Sequence, residues 1–97
     1  MPVLEDVEQK TPNDPEFLFH CPGCKMDHWF KTTGDEPRCV WNGDRVNPTV
    51  NPSIRVRVSD VQVCHFYIRE GRILYCSDSW HNLKSRTVNM QEIEHAR

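Results

Sequence analysis

Ninety-seven residues carrying a formal charge of −2 leave room for one domain and exclude a strongly basic nucleic-acid binder. Only 37% of the residues are hydrophobic, so the core is thin, and a chain this short gains from a staple such as a metal ion. No apolar run approaches the roughly 18 residues of a membrane span. The opening "MPVLEDVEQK" lacks the apolar stretch of a signal peptide, so a cytoplasmic location is expected. There, the five cysteines read as metal ligands in preference to disulfides.

In chain order, residues 1–16 hold Pro2, Pro12 and Pro15, with acids outnumbering Lys10, and read as a flexible acidic arm. Residues 17–97 then form a single zinc-binding β domain. "FLFHCPGC" is a short strand entering a metal-type turn, "HWFKTT" a second strand, and "GDEPRC" a loop. The prolines and Asn/Gly content of "WNGDRVNPTVNPS" exclude a helix and indicate an irregular but ordered loop. "IRVRV" alternates with period two. "VQVCHFYIREGRILYC" is a hairpin closed by Glu70-Gly71, with Ile68 facing Ile73, Phe66 facing Tyr75 and His65 facing Cys76. "RTVNM" is a last strand and "QEIEHAR" a short terminal helix or tail. The fold class is mainly β: a small antiparallel sheet domain stapled by zinc.

The CPGC turn supplies half of a tetrahedral site, since Cys-x₂-Cys spacing sets two sulfurs one tetrahedral edge apart. No second such pair exists, so Cys21 and Cys24 need isolated partners. His81 can fold back over the base of the hairpin to join them, along with one of Cys64 and His65, because neighbours in a strand point to opposite faces. If Ser59-Asp60 is a tight turn, His65 shares the inward face of Ile54, Val56 and Val58. Thiolate softness argues for Cys64 instead, and the choice stays open. Asp78, on the His65 side, is placed to accept the second N–H of a ligand imidazole. Mixed Cys/His donors suit Zn²⁺, and a closed site would be structural.

A second group of residues, His28, Asn42, Arg45, Thr49 and Ser53, could line a groove for a polar ligand. The competing reading is a rigid loop whose hydroxyls satisfy backbone groups. The functional expectation is a zinc-binding module acting through a protein partner. One alternative is a zinc-dependent hydrolase with an open coordination position. Another is single-stranded nucleic-acid binding through Arg55, Arg57, Arg69, Arg72, Lys84 and Arg86, with Trp29, Trp41, Trp80 and Tyr67 for stacking. No membrane partner is expected.

The pattern F-x-C-P-G-C-x₃-H, W-N-G-x₄-P-T-x₂-P-S and C-H-x₅-G-x-I-x₄-D-x₂-H, over about residues 17–90, resembles a family of small uncharacterised phage, prophage and bacterial proteins. The resemblance implies a phage or prophage origin, the host cytoplasm, and a zinc-binding module without assigned activity; modulating host or defence machinery is one natural job for such a protein, though no residue selects it. It adds weight to Cys21, Cys24, Cys64, His65, Asp78 and His81. Members often carry cysteine where this chain has Ser79, so no second knuckle forms with Cys76.

Overall fold

A computed structural model describes residues 1–93 and contains two antiparallel sheets, with no helix among those residues. The first sheet has the order β1 (Glu5–Asp6), β2 (Phe17–Cys21), β3 (Met26–Phe30). The second runs β4 (Val40–Trp41), β5 (Val50–Arg57), β6 (Val63–Arg69), β7 (Arg72–Tyr75), β8 (Thr87–Asn89). The mainly β expectation therefore holds, as two sheets. The terminal helix or tail expected at "QEIEHAR" lies largely outside the described residues; 91–93 form no regular element.

The β6–β7 hairpin has the expected register, Ile68 opposite Ile73 and Phe66 opposite Tyr75. Its two turn residues, Glu70 and Gly71, both have positive φ, at 47° and 77°. A two-residue turn matched to strand twist requires this. Phe66, Ile68 and Ile73 are fully buried, and their faces meet the first sheet, where Phe19 stands edge-on to Phe66 at 5.6 Å.

Three segments depart from the sequence reading. The "flexible arm" is instead attached: β1 pairs with β2, Val3 and Leu4 are buried, and the Val3 N–H donates to the Arg45 carbonyl at 2.8 Å. Alternating charged and apolar residues hid this, because only two side chains of the arm carry its burial. The "WNGDRVNPTVNPS" loop holds β4 and the start of β5 at its ends. Pro52 sits inside β5 because the register shifts between Val50 and Ile54. Three residues there face Tyr67 alone, and a bulge needs no N–H from the proline.

The third departure sets the functional geometry. The β5–β6 connection is not a tight turn at Ser59-Asp60; it spans residues 58–62 and is closed by the Val58 N–H on the Gln62 carbonyl at 2.9 Å. Arg57 then pairs with Val63, Val56 with Cys64 and Arg55 with His65. A shift of one residue turns every side chain over. Cys64 therefore goes inward with Val56, and His65 goes to the opposite face with Arg55.

Candidate active site and metal centre

Cys64 and His65 are consecutive in β6, and the two faces of that strand carry two different constellations. On the inner face, Cys21, Cys24, His28 and Cys64 bring one donor atom each within 4.8 Å of one another, and all four are buried. Cys21 Sγ and Cys64 Sγ are 3.9 Å apart. Two sulfurs about 2.3 Å from one zinc at a tetrahedral angle lie roughly 3.8 Å apart, so the spacing fits. His28 Nε2 is a buried nitrogen without a hydrogen-bond partner among the described residues. Such an atom is costly unless something binds it, and a cation among three sulfurs would. The residues present thus fit a metal ion.

The β2–β3 turn is shaped for this. The Cys24 N–H donates to Cys21 Sγ at 3.4 Å and the Lys25 N–H to the Cys21 carbonyl at 2.8 Å. Lys25 closes the turn with φ of 58°. The Trp80 indole N–H donates to Cys24 Sγ at 3.4 Å, and the Tyr75 hydroxyl lies 3.0 Å from Cys21 Sγ. Gly23 is needed because the His81 ring occupies the space a Cβ would fill.

Donated hydrogen bonds favour a thiolate on Cys21. The Cys64 thiol is the largest cause and, acting against burial and with help from the Tyr75 hydroxyl, holds Cys21 down at about 3. The same contact, then burial, pushes Cys64 up. Burial pushes Cys24 and Tyr75 up.

Of the residues expected to hold the metal, Cys21, Cys24 and Cys64 come together. His81 Nε2 reaches Cys64 Sγ at 3.4 Å but falls outside the four-donor group. Its Nδ1 accepts the Leu83 N–H at 3.2 Å. His28, expected in a ligand groove, takes the fourth position, stacked on Phe66 at 5.8 Å. His65 points away from this cluster for the register reason given above.

On the outer face of β6, His65 Nε2 lies 3.1 Å from Ser53 Oγ. Its Nδ1 lies 3.0 and 3.2 Å from the two oxygens of Asp78. A carboxylate only accepts, so Nδ1 carries the proton and Nε2 is left to accept from the serine hydroxyl. Asp78 does orient an imidazole, but one directed at Ser53 and turned away from the Cys21, Cys24 and Cys64 cluster. The backbone of His65 is fixed as well: Ser79 Oγ accepts its N–H at 3.1 Å and donates to its carbonyl at 2.7 Å. The Cys76 N–H adds a further bond to that carbonyl at 2.8 Å. Cys76 also brings its sulfur within 4.8 Å of the His65 and Asp78 donor atoms.

The remaining groove residues do not converge on Ser53. Asn42 Oδ1 accepts from the backbone of Asp44 and Thr49. Thr49 Oγ1 accepts the Glu70 N–H at 3.0 Å. Arg45 pairs with Asp6 at 2.8 Å and covers the Trp41 ring. These residues build the loop and anchor β1.

The bulge is what delivers Ser53. It sits just before the regular β5–β6 pairing, in which Arg55 faces His65, so the extra residues swing Ser53 over the imidazole. The sequence carries no glycine-flanked serine elbow to announce a nucleophile. The one signal that could have found it is Pro52 just before the period-two run, which marks a bulge one strand away from the histidine.

The family model that matches, over residues 4–76, is described as "Bacterial ubiquitination-like system serine protease (BubE)". Ser53 and His65 lie inside that span and Asp78 just beyond it. No curated protein and no solved structure matches the chain. The match overturns the expectation of a module acting by protein binding, and with it the zinc-hydrolase and single-stranded nucleic-acid alternatives, because the family is named for serine proteolysis. It supports a bacterial family, while the phage origin and uncharacterised status implied by the sequence resemblance find no support in it.

Proposed function

The chain belongs to the BubE family, and on that premise we propose that it is a serine protease with Ser53 as nucleophile, His65 as general base and Asp78 as the carboxylate that orients the base. The observation carrying this reading is the continuous relay from Ser53 Oγ to His65 Nε2 at 3.1 Å and from His65 Nδ1 to Asp78 at 3.0 Å. A hydroxyl is a weak nucleophile until a base takes its proton, and a base is effective only in the right tautomer and orientation.

Ser53 Oγ attacks the scissile carbonyl carbon while its proton passes to His65 Nε2. The tetrahedral species collapses, the C–N bond breaks, and the same proton leaves with the amine. Water then gives a proton to Nε2 as its oxygen attacks the ester; the acyl C–O bond breaks, Nε2 returns that proton to Ser53 Oγ, and the acid leaves. Asp78 stabilises the imidazolium formed in each half without taking its proton. The family's description points to a substrate within a bacterial ubiquitination-like system.

Cys21, Cys24, His28 and Cys64 are proposed to hold Zn²⁺. Three thiolates and an imidazole are a closed donor set, so the ion's role is structural. It would fasten β6 from the face opposite His65.

The test is a fluorophosphonate probe with peptide mapping. Labelling of Ser53, lost in Ser53→Ala and slowed in His65→Ala, is the expected result. An unlabelled wild-type protein of native fold rejects the reading.

A further inference from the structure

Beside Ser53 lies a cavity of about 470 Å³, lined by residues 26–31, by residues 52–58 and by Pro37, Arg38 and Cys39 of the loop before β4. This volume is in the range of ligand-binding clefts. The first two segments are strand edges. β3 is the last strand of its sheet, and β4 covers β5 only at Val50 and Asn51, which leaves β5 uncovered on that side from Ser53 onward.

The direction of the β5 backbone groups follows from its neighbours. His65 points its carbonyl and N–H at Cys76 and Ser79, away from β5. The Val63 carbonyl likewise accepts from the Trp80 N–H. Residues that turn away from each other form non-hydrogen-bonded pairs in an antiparallel ladder, so Arg55 and Arg57, opposite His65 and Val63, turn away too. Val58, one residue on, directs its N–H to Gln62 on the β6 side, as the alternation requires. The N–H and C=O groups of Arg55 and Arg57 therefore face the cleft, with no partner strand among the described residues.

An uncovered edge is a template for another strand. We propose that the acyl-side segment of the substrate binds as an extended peptide added antiparallel to β5, exchanging backbone hydrogen bonds with Arg55 and Arg57. This deepens the protease reading and rests on it. The direction fits the chemistry. A chain antiparallel to β5 passes Arg57 and then Arg55 before it reaches Ser53, so the residues preceding the scissile carbonyl are the ones held. Substrate selection would then favour unstructured tails over folded loops, since only an extended segment can pair along an edge.

The experiment uses wild-type protein and a library of acetylated hexapeptide coumarylamides. The best-cleaved sequence is resynthesised with a single N-methyl group at each acyl-side position in turn. The expected result is a period of two: N-methylation at alternate residues lowers kcat/KM tenfold or more and at the intervening residues far less. A flat profile overturns the proposal, as does failure to cleave any library member while the fluorophosphonate still labels Ser53. Absence of that labelling instead removes the protease reading itself, so the two failures are distinguishable. As a second arm, Arg55→Pro deletes the outward N–H without removing a ladder bond to β6. Relative to Arg55→Ala it is expected to raise KM about tenfold, and equal KM values in the two variants count against strand addition.

Discussion

At the scale of single residues, what separates His65 from an ordinary surface histidine is that each ring nitrogen has a distinct partner. Asp78 fixes the tautomer, so Asp78→Asn is the informative change: the amide can donate to Nδ1 and so stabilise the wrong tautomer. Its side chain is 54% exposed, and water shares part of its role. A fall in kcat of about 10²–10⁴ is therefore expected, with KM little altered, in steady-state assays on the best peptide. Ser53→Ala should remove about 10⁵–10⁶ of kcat. A variant retaining a tenth of the activity would show that Ser53 is not the nucleophile. The sequence made His65 and Asp78 legible as a pair but assigned them to a metal. Ser53 was legible only as a hydroxyl in a proline-rich loop, because its partner comes from the next strand through a bulge that no local motif encodes.

At the scale of elements, β6 is the shared component. Its inner face gives Cys64 to the thiol cluster, and its outer face gives His65 to the serine. Which residue went where could not be read from alternation alone, since it depended on whether the β5–β6 connection had an even or odd number of residues. Hydrophobicity did not decide between the two: Val61 is 90% exposed and Val63 only partly buried. The hairpin β6–β7, by contrast, was legible to the residue, because Glu70-Gly71 allows one register. The two-faced strand leads to a prediction about metal removal. Cys64→Ser, or a strong chelator, should release one zinc per chain and lower Tm by about 10 °C or more, given the size of zinc–folding coupling in small domains. Peptidase activity should fall in step with loss of native circular dichroism, since the proposed ion has a structural role and no part in the chemistry. Activity lost from a protein with unchanged Tm would place the ion in the reaction instead. His28→Ala should weaken metal retention more than His81→Ala, because only His28 offers an otherwise unpartnered nitrogen.

At the scale of the whole molecule, two small sheets need something to hold them together, and the N-terminal segment contributes more than its composition suggests. Arg45 joins the loop after β4 to Asp6 in β1 through paired hydrogen bonds of 2.8 and 3.1 Å, and it lies over both Phe17 and Trp41. Lys31 reaches back to Asn13 Oδ1 at 3.2 Å and to the carbonyls of Thr33 and Asp35. Asp14 accepts the N–H groups of Thr11 and Lys10, and these bonds hold its carboxyl below the usual range. Between these polar ties Leu4 is 2% exposed and belongs to the common core. Truncating a leucine so buried removes its transfer energy and leaves a cavity, together about 2–4 kcal/mol. In a domain of this size that corresponds to a Tm lowered by roughly 10–25 °C. A surface arm would give a change within about 0.5 kcal/mol. Leu4→Ala compared with Glu8→Ala in urea melts therefore separates the two views. Equal midpoints would mean that residues 1–16 are dispensable to the fold; a large shift for Leu4 alone would make them part of the scaffold that holds the proposed active-site cleft.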